Sequence, residues 1–367
     1  MRYIFFLLLF LQSILLGESY DPNAPKEYGV LGLTGAIIDH YFFITNEELK
    51  AMAEEKGSWA PIDYPTLCSL LNKNKGAAQM APGGSGSNVI KGLAQLGQKC
   101  AIVGKVGNDD KGKYYSKKMK ELGVVPLLEE GALPTGQAVC LITPDRERTF
   151  RTYLGASHSL TDLKFDPSIF EKVDLFHLEG YQLVDPDLVI RTLKLAKEAN
   201  VLISVDLASL EVVRRNKTFI RNILEKYIDI VFCNEVEAEE LTGLKPKEAS
   251  RFLSELCAVS VVTMSDRGSW VSGKEKQFRM GVFPVQVIDT TGAGDLYASG
   301  FLHGYLTGKP LEKCAQMGTI CASYVIKRVG AEIPDQVWTE IKGLFEENPT
   351  SQVVFFPEKE TSPSPKS

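Results

Sequence analysis

The stretch Asp289-Thr-Thr-Gly-Ala-Gly-Asp295 decides the fold, together with the segment LYASGFLHGYL that follows it. The two glycines let the backbone turn tightly, and the apolar residues of the following segment recur at helical spacing. The first N–H groups of a helix have no intrahelical partner, and the helix dipole favours negative charge. The turn therefore predicts an anion site at a helix N-terminus, and residues 283–288 before it resemble a strand.

Asp295 closes this turn and is the first candidate catalytic residue. A carboxylate beside an anion site is repelled unless it handles a proton or a metal ion. Its natural role is that of a general base toward a hydroxyl group that attacks a phosphoryl group. The alternative interpretation is structural, with Asp295 as the N-cap of the following helix.

Length and composition exclude several classes of protein. The 367 residues suffice for one large or two ordinary domains. Hydrophobic residues make up 44% and charged residues 24%, which excludes a disordered or fibrous chain. The net charge of −5 argues against a broad cationic face for nucleic acid. The 7 cysteines include no C-x-x-C pair and lie mostly in apolar runs, which predicts buried free thiols and no zinc site.

Strand-like runs alternate with helical periods from residue 28 onward. The predicted strands are 28–33, 100–106, 173–178, 201–206, 228–233 and 260–264. The predicted helices are 88–96, 111–122, 188–199, 219–227 and 236–241. This alternation predicts an α/β fold, with a doubly wound, mostly parallel sheet covered by helices on both faces. Ligands bind at the carboxyl ends of the strands in such sheets.

Three parts of different composition follow one another along the chain. Residues 1–25 combine a short basic start, an apolar run and a polar linker, and they resemble a secretory leader that is too short for a standard membrane span. Residues 26–345 form the predicted globular domain, in which segments 38–62 and 137–155 are expected to form a small β lid. Residues 346–367 are rich in Pro, Ser, Glu and Lys, so we expect a disordered tail.

The compartment is predicted from two opposing signals. The leader-like segment leaves export open, whereas the free cysteines favour a reducing compartment. We expect a cytoplasmic protein without stable membrane association, in which residues 1–25 are an extension. We expect a monomer or a homodimer that binds a small molecule and no nucleic acid.

Four motifs, in order along the chain, resemble those of the ribokinase/PfkB family of small-molecule kinases. They are Pro82-Gly-Gly-Ser-Gly-Ser-Asn88, Asn234-Glu-Val-Glu237, Thr263-Met-Ser-Asp-Arg-Gly268 and the turn that ends at Asp295. The resemblance runs from about residue 28 to 332. The segments KGSWAPID, GKVGNDDKG, TPDRERTFRTYLGA and HLEGYQL resemble bacterial adenosine kinases in particular. The resemblance implies a ribokinase-like three-layer fold with a β lid.

The resemblance also implies a role for each motif residue. Asp295 would act as the base, and the backbone amides of Gly292, Ala293 and Gly294 would stabilise the transferring phosphoryl group. The implied acceptor-binding residues are Asp39, Gly83, Gly84 and Asn88. The implied ATP-binding residues are Asn234, Glu237, Thr263, Ser265 and Gly268, with Glu237 holding Mg²⁺ through water. Asp289 and Thr291 resemble positions that, in some members of the family, help to hold a monovalent cation such as K⁺.

The implied reaction is transfer of a phosphoryl group from ATP to the hydroxymethyl group of adenosine, which gives AMP. Two alternatives stay open: a sugar kinase of the same family for ribose or fructose, and a non-catalytic nucleoside- or sugar-binding protein. The sequence contains neither G-x-G-x-x-G after a strand nor G-x-x-x-x-G-K-[ST], which argues against other nucleotide folds.

Purely structural interpretations exist for the other candidates as well. Asn234 and Glu237 sit at a strand-to-helix junction and could form a cap. Asn88 could likewise cap a helix, and Asp39 could be a surface carboxylate at the base of the lid. One departure from the family concerns the acceptor end: Thr34-Gly35 stands where relatives usually carry a Gly-Asn pair.

Overall fold

Two β-sheets and the helices packed on them make up the structure. The computed structural model describes residues 26–52, 56–73, 79–158, 160–164, 166–346 and 355–357. The predicted leader at 1–25 lies outside these residues, as does most of the predicted disordered tail. Three residues of that tail, Phe355–Pro357, form a strand.

Strands and helices alternate through most of the described residues. The strands are β1 (Tyr28–Leu33), β2 (Ile37–Phe43), β3 (Trp59–Pro61), β4 (Gln79–Gly83), β5 (Cys100–Gly107), β6 (Val124–Gly131), β7 (Gly136–Ile142), β8 (Arg148–Tyr153), β9 (Val173–Glu179), β10 (Leu202–Asp206), β11 (Ile230–Asn234), β12 (Val259–Thr263), β13 (Ser269–Gly273), β14 (Gln277–Met280) and β15 (Phe355–Pro357). The helices are α1 (Asn46–Met52), α2 (Tyr64–Lys73), α3 (Ser85–Leu96), α4 (Asp110–Glu121), α5 (Pro186–Glu198), α6 (Leu210–Lys226), α7 (Glu235–Thr242), α8 (Pro246–Leu256), α9 (Ala293–Leu306), α10 (Leu311–Val325) and α11 (Asp335–Glu346).

The larger sheet has the strand order β15-β14-β13-β12-β11-β10-β9-β1-β5-β6. Every pair from β6 to β12 is parallel, whereas β13, β14 and β15 extend the sheet by antiparallel pairing. In register, Leu31 lies opposite Ala101 of β5 and Phe176 of β9. The predicted doubly wound, mostly parallel sheet is confirmed.

The two faces of this sheet bury different side chains, because successive residues of a strand point to opposite sides. Leu31 and Phe176 pack with helices α5 to α8 on one face. Val30 and Leu175, one residue earlier in the same strands, pack with α3, α4 and α9 on the other. Helices therefore cover both faces, and the expected three layers are present. One predicted strand is absent: the stretch 283–288, expected to be a strand, has no regular secondary structure.

The smaller sheet has the order β3-β8-β7-β2-β4, and we call it the lid sheet. Its apolar side chains, among them Phe42 and Val139, pack against Leu49 of α1 and Leu67 of α2. The sequence segments 38–62 and 137–155 contribute four of its strands. The fifth strand, β4, was not predicted, and it leads directly into helix α3.

Helices α3 and α9 form the seam that positions the candidate site. At Gly92 in α3, a Cβ atom would lie 2.4 Å from the hydroxyl of Ser299 in α9. That hydroxyl donates to the carbonyl oxygens of Val89, at 3.0 Å, and Asp295, at 2.9 Å. Because no side chain fits between them, the two helices approach closely, and residues of the first turns face each other. Among the described residues, no helix is both long enough and apolar enough to cross a membrane.

The α3–α9 seam yields a prediction with an internal control. Gly92→Ala forces a methyl group against Ser299, and overpacking of this kind typically costs about 1–3 kcal/mol. Gly343→Ala makes the same chemical change in α11, where no atom lies within 4 Å of the added carbon. There we expect a gain of about 0.5–1 kcal/mol, because alanine favours the helix. Denaturant unfolding measures both free energies, and a Gly92→Ala protein as stable as the wild type would contradict the seam.

Candidate active site

The turn before α9 is held by a buried carboxylate. Gly292 is the N-cap of α9 and has φ +77°, and a Cβ there would lie 2.6 Å from that of Ala331. The Oδ1 atom of Asp289 accepts hydrogen bonds from the amide of Thr291, at 2.9 Å, and from its hydroxyl, at 2.8 Å. The Oδ2 atom accepts from the amide of Gly330 at 2.8 Å. Asp289 therefore fixes the turn, and its own carboxylate does not line the cavity.

The amides at the start of α9 face an open cavity. A Cβ atom at Gly294 would meet nothing within 4 Å, so the backbone there is accessible to a ligand. The amide of Ala293 donates to the carbonyl of Thr290 at 3.2 Å, which engages one of the three predicted donors within the turn. The remaining amides and the helix dipole favour an anion, as the glycine turn predicted.

Asp295 lies in the first turn of α9, beyond the N-cap. The interpretation of Asp295 as the helix cap is therefore wrong, because Gly292 occupies that position. Its Oδ1 atom accepts from the hydroxyl of Ser85 at 2.8 Å, and its Oδ2 atom accepts from Nδ2 of Asn88 at 2.8 Å. Burial raises the pKa of Asp295, against the opposing effects of these two hydrogen bonds and of the nearby Arg148 and Lys91.

Asp39 is buried in the lid sheet, with only 4% of its surface exposed, so the surface interpretation is wrong. The hydroxyl of Tyr41 donates to its Oδ2 at 3.0 Å. A Cβ atom at Gly83 would lie 2.1 Å from the carboxyl carbon of Asp39, so Gly83 makes room for this carboxylate. Burial raises the pKa of Asp39 to about 7, and the charge of Lys91 opposes that shift.

Asn88 lies inside α3 and is not its cap, since Gly84 occupies the N-cap position with φ +94°. The Nδ2 atom of Asn88 is committed to Asp295, but its Oδ1 atom is buried without a hydrogen-bond partner among the described residues. A buried acceptor of this kind is costly unless a donor reaches it. A hydroxyl group of a bound molecule would supply that donor.

Asn234 and Glu237 form a capping box at the N-terminus of α7, as the structural interpretation of this motif predicted. Oδ1 of Asn234 accepts from the amides of Val236 and Glu237 at 2.9 Å, and Glu237 accepts in return from the Asn234 amide at 2.9 Å. Burial raises the pKa of Glu237 to about 7. Both residues also line the cavity, so the cap presents a buried carboxyl group to it.

Thr263, Ser265 and Gly268 lie together at the end of β12. Ser265 and Gly268 both have positive φ angles, 51° and 84°. A Cβ atom at Gly268 would lie 1.9 Å from the carbonyl oxygen of Met280, so only glycine fits there. All three residues line the same cavity as Asn234.

One cavity of about 1720 Å³ extends from the residues around Asp39 and Asp295 to those around Asn234 and Gly268. The predicted residues that line it are Asp39, Gly84, Asn88, Asn234, Glu237, Thr263, Ser265, Gly268, Thr291, Gly292, Ala293, Gly294 and Asp295. Two of the predicted site residues, Gly83 and Asp289, do not line the cavity. Gly83 leaves room for the side chain of Asp39, and Asp289 holds the turn that contains Thr291. Residues from four separate motifs therefore meet in one space large enough for two substrates.

Several side chains at the cavity were not predicted. Ser85 lies inside the motif that ends at Asn88, and Arg148 lies in a predicted lid segment and donates to the hydroxyl of Thr290. Glu179 and Asp206 end β9 and β10, and the rule that ligands bind at carboxyl ends of parallel strands could have found them. Lys91 carried no sequence signal and does not line the cavity; it is buried, donates to the carbonyl of Pro82 at 2.5 Å, and its charge acts on Asp39 and Asp295.

Residues 69–338 match the family described as pfkB family carbohydrate kinase. Fructokinase-1 of Oryza sativa subsp. japonica is 27% identical over 75% of this chain and 93% of its own length. A solved probable sugar kinase from Rhizobium etli is 29% identical, with a TM-score of 0.81, and covers 87% of this chain and 99% of that one. A solved adenosine kinase from Sinorhizobium meliloti is 31% identical, with a TM-score of 0.80 and the same coverage.

The raised pKa of Asp39 predicts an unusual dependence of stability on pH. The folded protein keeps this proton up to about pH 7, whereas the unfolded chain releases it near pH 3.8. The stability that Asp39 contributes is thus fully present below about pH 4 and is lost as the pH rises to about 7. Asp39→Asn avoids this loss, so its free energy of unfolding should rise relative to the wild type, by at most about 1.4 kcal/mol per pH unit.

Denaturant unfolding from pH 5 to 8 measures this difference. Asp145→Asn is the control, because Lys56 and Thr143 lower the pKa of Asp145 to about 2 and it is ionised in both states over this range. Its difference from the wild type should be flat. A flat difference for Asp39→Asn as well would show that Asp39 is not a buried, protonated group.

Proposed function

This chain belongs to the PfkB family of carbohydrate kinases, and from that premise we propose that it phosphorylates the hydroxymethyl group of adenosine with ATP, giving AMP. The observation that carries the proposal is the pair of hydrogen bonds from Asn88 and Ser85 to the carboxylate of Asp295, beside the open N-terminus of α9. This arrangement places a base, an anion site and an acceptor grip around one cavity. A non-catalytic binding protein would need neither the base nor the anion site.

Asp295 is the proposed general base. It would take the proton of the 5′-hydroxyl group as that oxygen forms a bond to the γ-phosphorus and the bond from phosphorus to ADP breaks. Burial raises its pKa, which makes the carboxylate a stronger base than a solvent-exposed aspartate. The amides of Gly292 and Gly294 would stabilise the charge on the transferring group, whereas the amide of Ala293, also expected to do so, donates to the carbonyl of Thr290.

Asp39 and Asn88 are the proposed grip on the ribose. The ionised form of Asp39, which hydroxyl donors would favour, accepts hydrogen bonds from two hydroxyl groups. The Oδ1 atom of Asn88, which has no partner among the described residues, accepts from another. Gly83 leaves space for the Asp39 side chain, and Gly84 allows the backbone to turn close to the sugar. The grip orients the hydroxymethyl group toward Asp295.

Asn234, Glu237, Thr263, Ser265 and Gly268 are the proposed ATP-binding residues. Their elements lie at the carboxyl ends of neighbouring strands, which is where nucleotides bind in doubly wound sheets. Glycine at 268 lets this loop pack against the carbonyl oxygen of Met280, which positions the loop beside the cavity.

Magnesium is proposed to bind beside the proposed ATP-binding residues, near the carboxyl groups of Glu237 and Asp206. Within the described ranges, no three His, Cys, Asp or Glu side chains are grouped to hold a metal ion. Glu237 raises the pKa of Asp206 by charge repulsion, after the larger effect of burial, and a cation would relieve that repulsion. These residues fit an ion held through water, whose chemistry would be to neutralise phosphate charge. A monovalent cation near Asp289 and Thr291 stays a prediction.

Arg148 adds a cation from the lid sheet. Its guanidinium donates to the hydroxyl of Thr290, one residue before Thr291 in the turn that fixes α9. It also lines the cavity that contains Asp295. We therefore include Arg148 among the groups that would stabilise the charge of the transferring phosphoryl group.

Apolar surfaces of the lid sheet favour a nucleoside over a free sugar. Trp59 of β3 packs on Tyr181 with ring centroids 5.2 Å apart, and both line the cavity together with Phe150 and Tyr153. Flat aromatic groups suit a base, whereas a sugar presents mainly hydroxyl groups. The sugar-kinase alternative keeps the support of the fructokinase relative, so the acceptor must be tested directly.

The acceptor prediction is tested by measuring ADP formation over a panel of acceptors. We expect the highest kcat/KM with adenosine, lower values with other nucleosides, and much lower values with ribose and fructose. Adenosine kinase activity in the panel must require Asp295, which excludes a contaminating enzyme. A far higher kcat/KM for ribose or fructose than for adenosine would replace this proposal with the sugar kinase.

Asp295→Asn should lower kcat by about 10²–10⁴-fold, because an amide cannot take the proton. The hydrogen bonds can persist, since the Ser85 hydroxyl can accept as well as donate. We therefore expect a melting temperature no lower than that of the wild type, because burial raises the pKa of Asp295 and the amide needs no buried charge. Asp335→Asn, in the exposed first turn of α11, is the matched control and should keep full activity. A stable Asp295→Asn protein with wild-type turnover would end the base mechanism.

A further inference from the structure

Gln182 is a buried amide at the cavity that the proposed reaction does not use. It lies in the 3₁₀ turn Gly180–Val184 that follows β9, and only 7% of its surface is exposed. It lines the cavity, and its side chain makes no hydrogen bond with any described residue. A buried carboxamide without a protein partner is expected to be satisfied by water or by a ligand.

The wall around Gln182 is rigid and open on one side. A Cβ atom at Gly35 would lie 3.6 Å from the Nε2 atom of Gln182, an ordinary contact distance, so Gly35 adjoins the amide at the cavity wall. Glu179 stands beside it, and its Oε2 atom accepts from the hydroxyl of Thr34 and from the amide of Gly35, both at 2.6 Å. These bonds hold Glu179 and Gly35 in place, so Gln182 faces a preformed space.

An aromatic surface adjoins the amide. Tyr181, the residue before Gln182, packs on Trp59 of the lid sheet with a 39° angle between the rings. An apolar face next to a planar donor and acceptor suits a flat heterocycle that carries polar groups on its edge.

We propose that the carboxamide of Gln182 binds the edge of the acceptor's base and so determines base specificity. This inference rests on the proposed function, in which Asp39 and Asn88 already hold the ribose and the base is the part of the acceptor left unbound. A carboxamide offers a donor and an acceptor in one plane. Adenine offers the complement, an exocyclic amine that donates and an adjacent ring nitrogen that accepts.

The test compares adenosine with purine riboside, which lacks the exocyclic amine. The wild-type enzyme should prefer adenosine by about tenfold in kcat/KM, carried mainly by KM, as expected for one lost hydrogen-bonded pair. Gln182→Met keeps the length of the side chain and removes both hydrogen-bonding groups. We expect this variant to lose most of the preference, while kcat and the KM for ATP stay near the wild-type values.

Gln95→Met is the matched control, because Gln95 lies on α3 and donates to the carbonyl of Leu122 instead of facing the cavity. It should keep the preference for adenosine. If Gln182→Met unfolds, Gln182→Leu provides a second test, since it removes the same hydrogen-bonding groups with a shorter apolar side chain and should lower the preference in the same direction. An unchanged preference in either folded variant would overturn the inference.

The outcomes separate this inference from the proposed function. If the wild type phosphorylates adenosine but Gln182→Met discriminates as the wild type does, only the inference fails. If the wild type phosphorylates sugars and no nucleoside, the proposed function fails and the inference fails with it, because no base is then bound.

Discussion

The hydrogen bonds of the Asp295 carboxylate to Asn88 and Ser85 are the constraint on which the site depends. They join segments that are 207 and 210 positions apart in the chain. The α3–α9 seam makes this contact possible, because Gly92 lets Ser299 approach and bond to the backbone of both helices. The motif that ends at Asn88 and the glycine turn before Asp295 thus meet where the N-termini of α3 and α9 converge.

Burial of several carboxyl groups around one cavity is the second constraint. Five carboxyl groups line the cavity and have raised pKa values; they belong to Asp39, Glu179, Asp206, Glu237 and Asp295. Burial is the largest cause in every case, and it disfavours the ionised form. Ionising these carboxyl groups in the folded protein is therefore unfavourable. Cations and hydroxyl donors of bound substrates would stabilise the ionised forms at this site. This is the usual place for perturbed titration in an enzyme.

Much of the fold could be predicted because its signals are local. Apolar runs predicted most strands of the parallel sheet, although β6 was missed, and helical periods predicted most of the helices that cover it. Helices α8, α10 and α11 were also missed. Two further misses have a clear physical reason. Residues 283–288 alternate like a strand but pair with none, and β4 carries the mixed sequence QMAPG, which has no strand pattern of its own. Strand pairing depends on partners distant in sequence, so local patterns cannot settle it.

The sequence by itself located the turns that line the cavity, because glycine turns need backbone geometry that few other residues allow. Gly292 and Gly268 are of this kind. Only the tertiary structure decided which side chains act on one another. It showed Asp39 to be buried, Asp289 to fix a turn, and Gln182 to face the cavity without a partner among the described residues. The physical reason is that burial and charge interactions come from neighbours brought together by packing, and no local pattern encodes them.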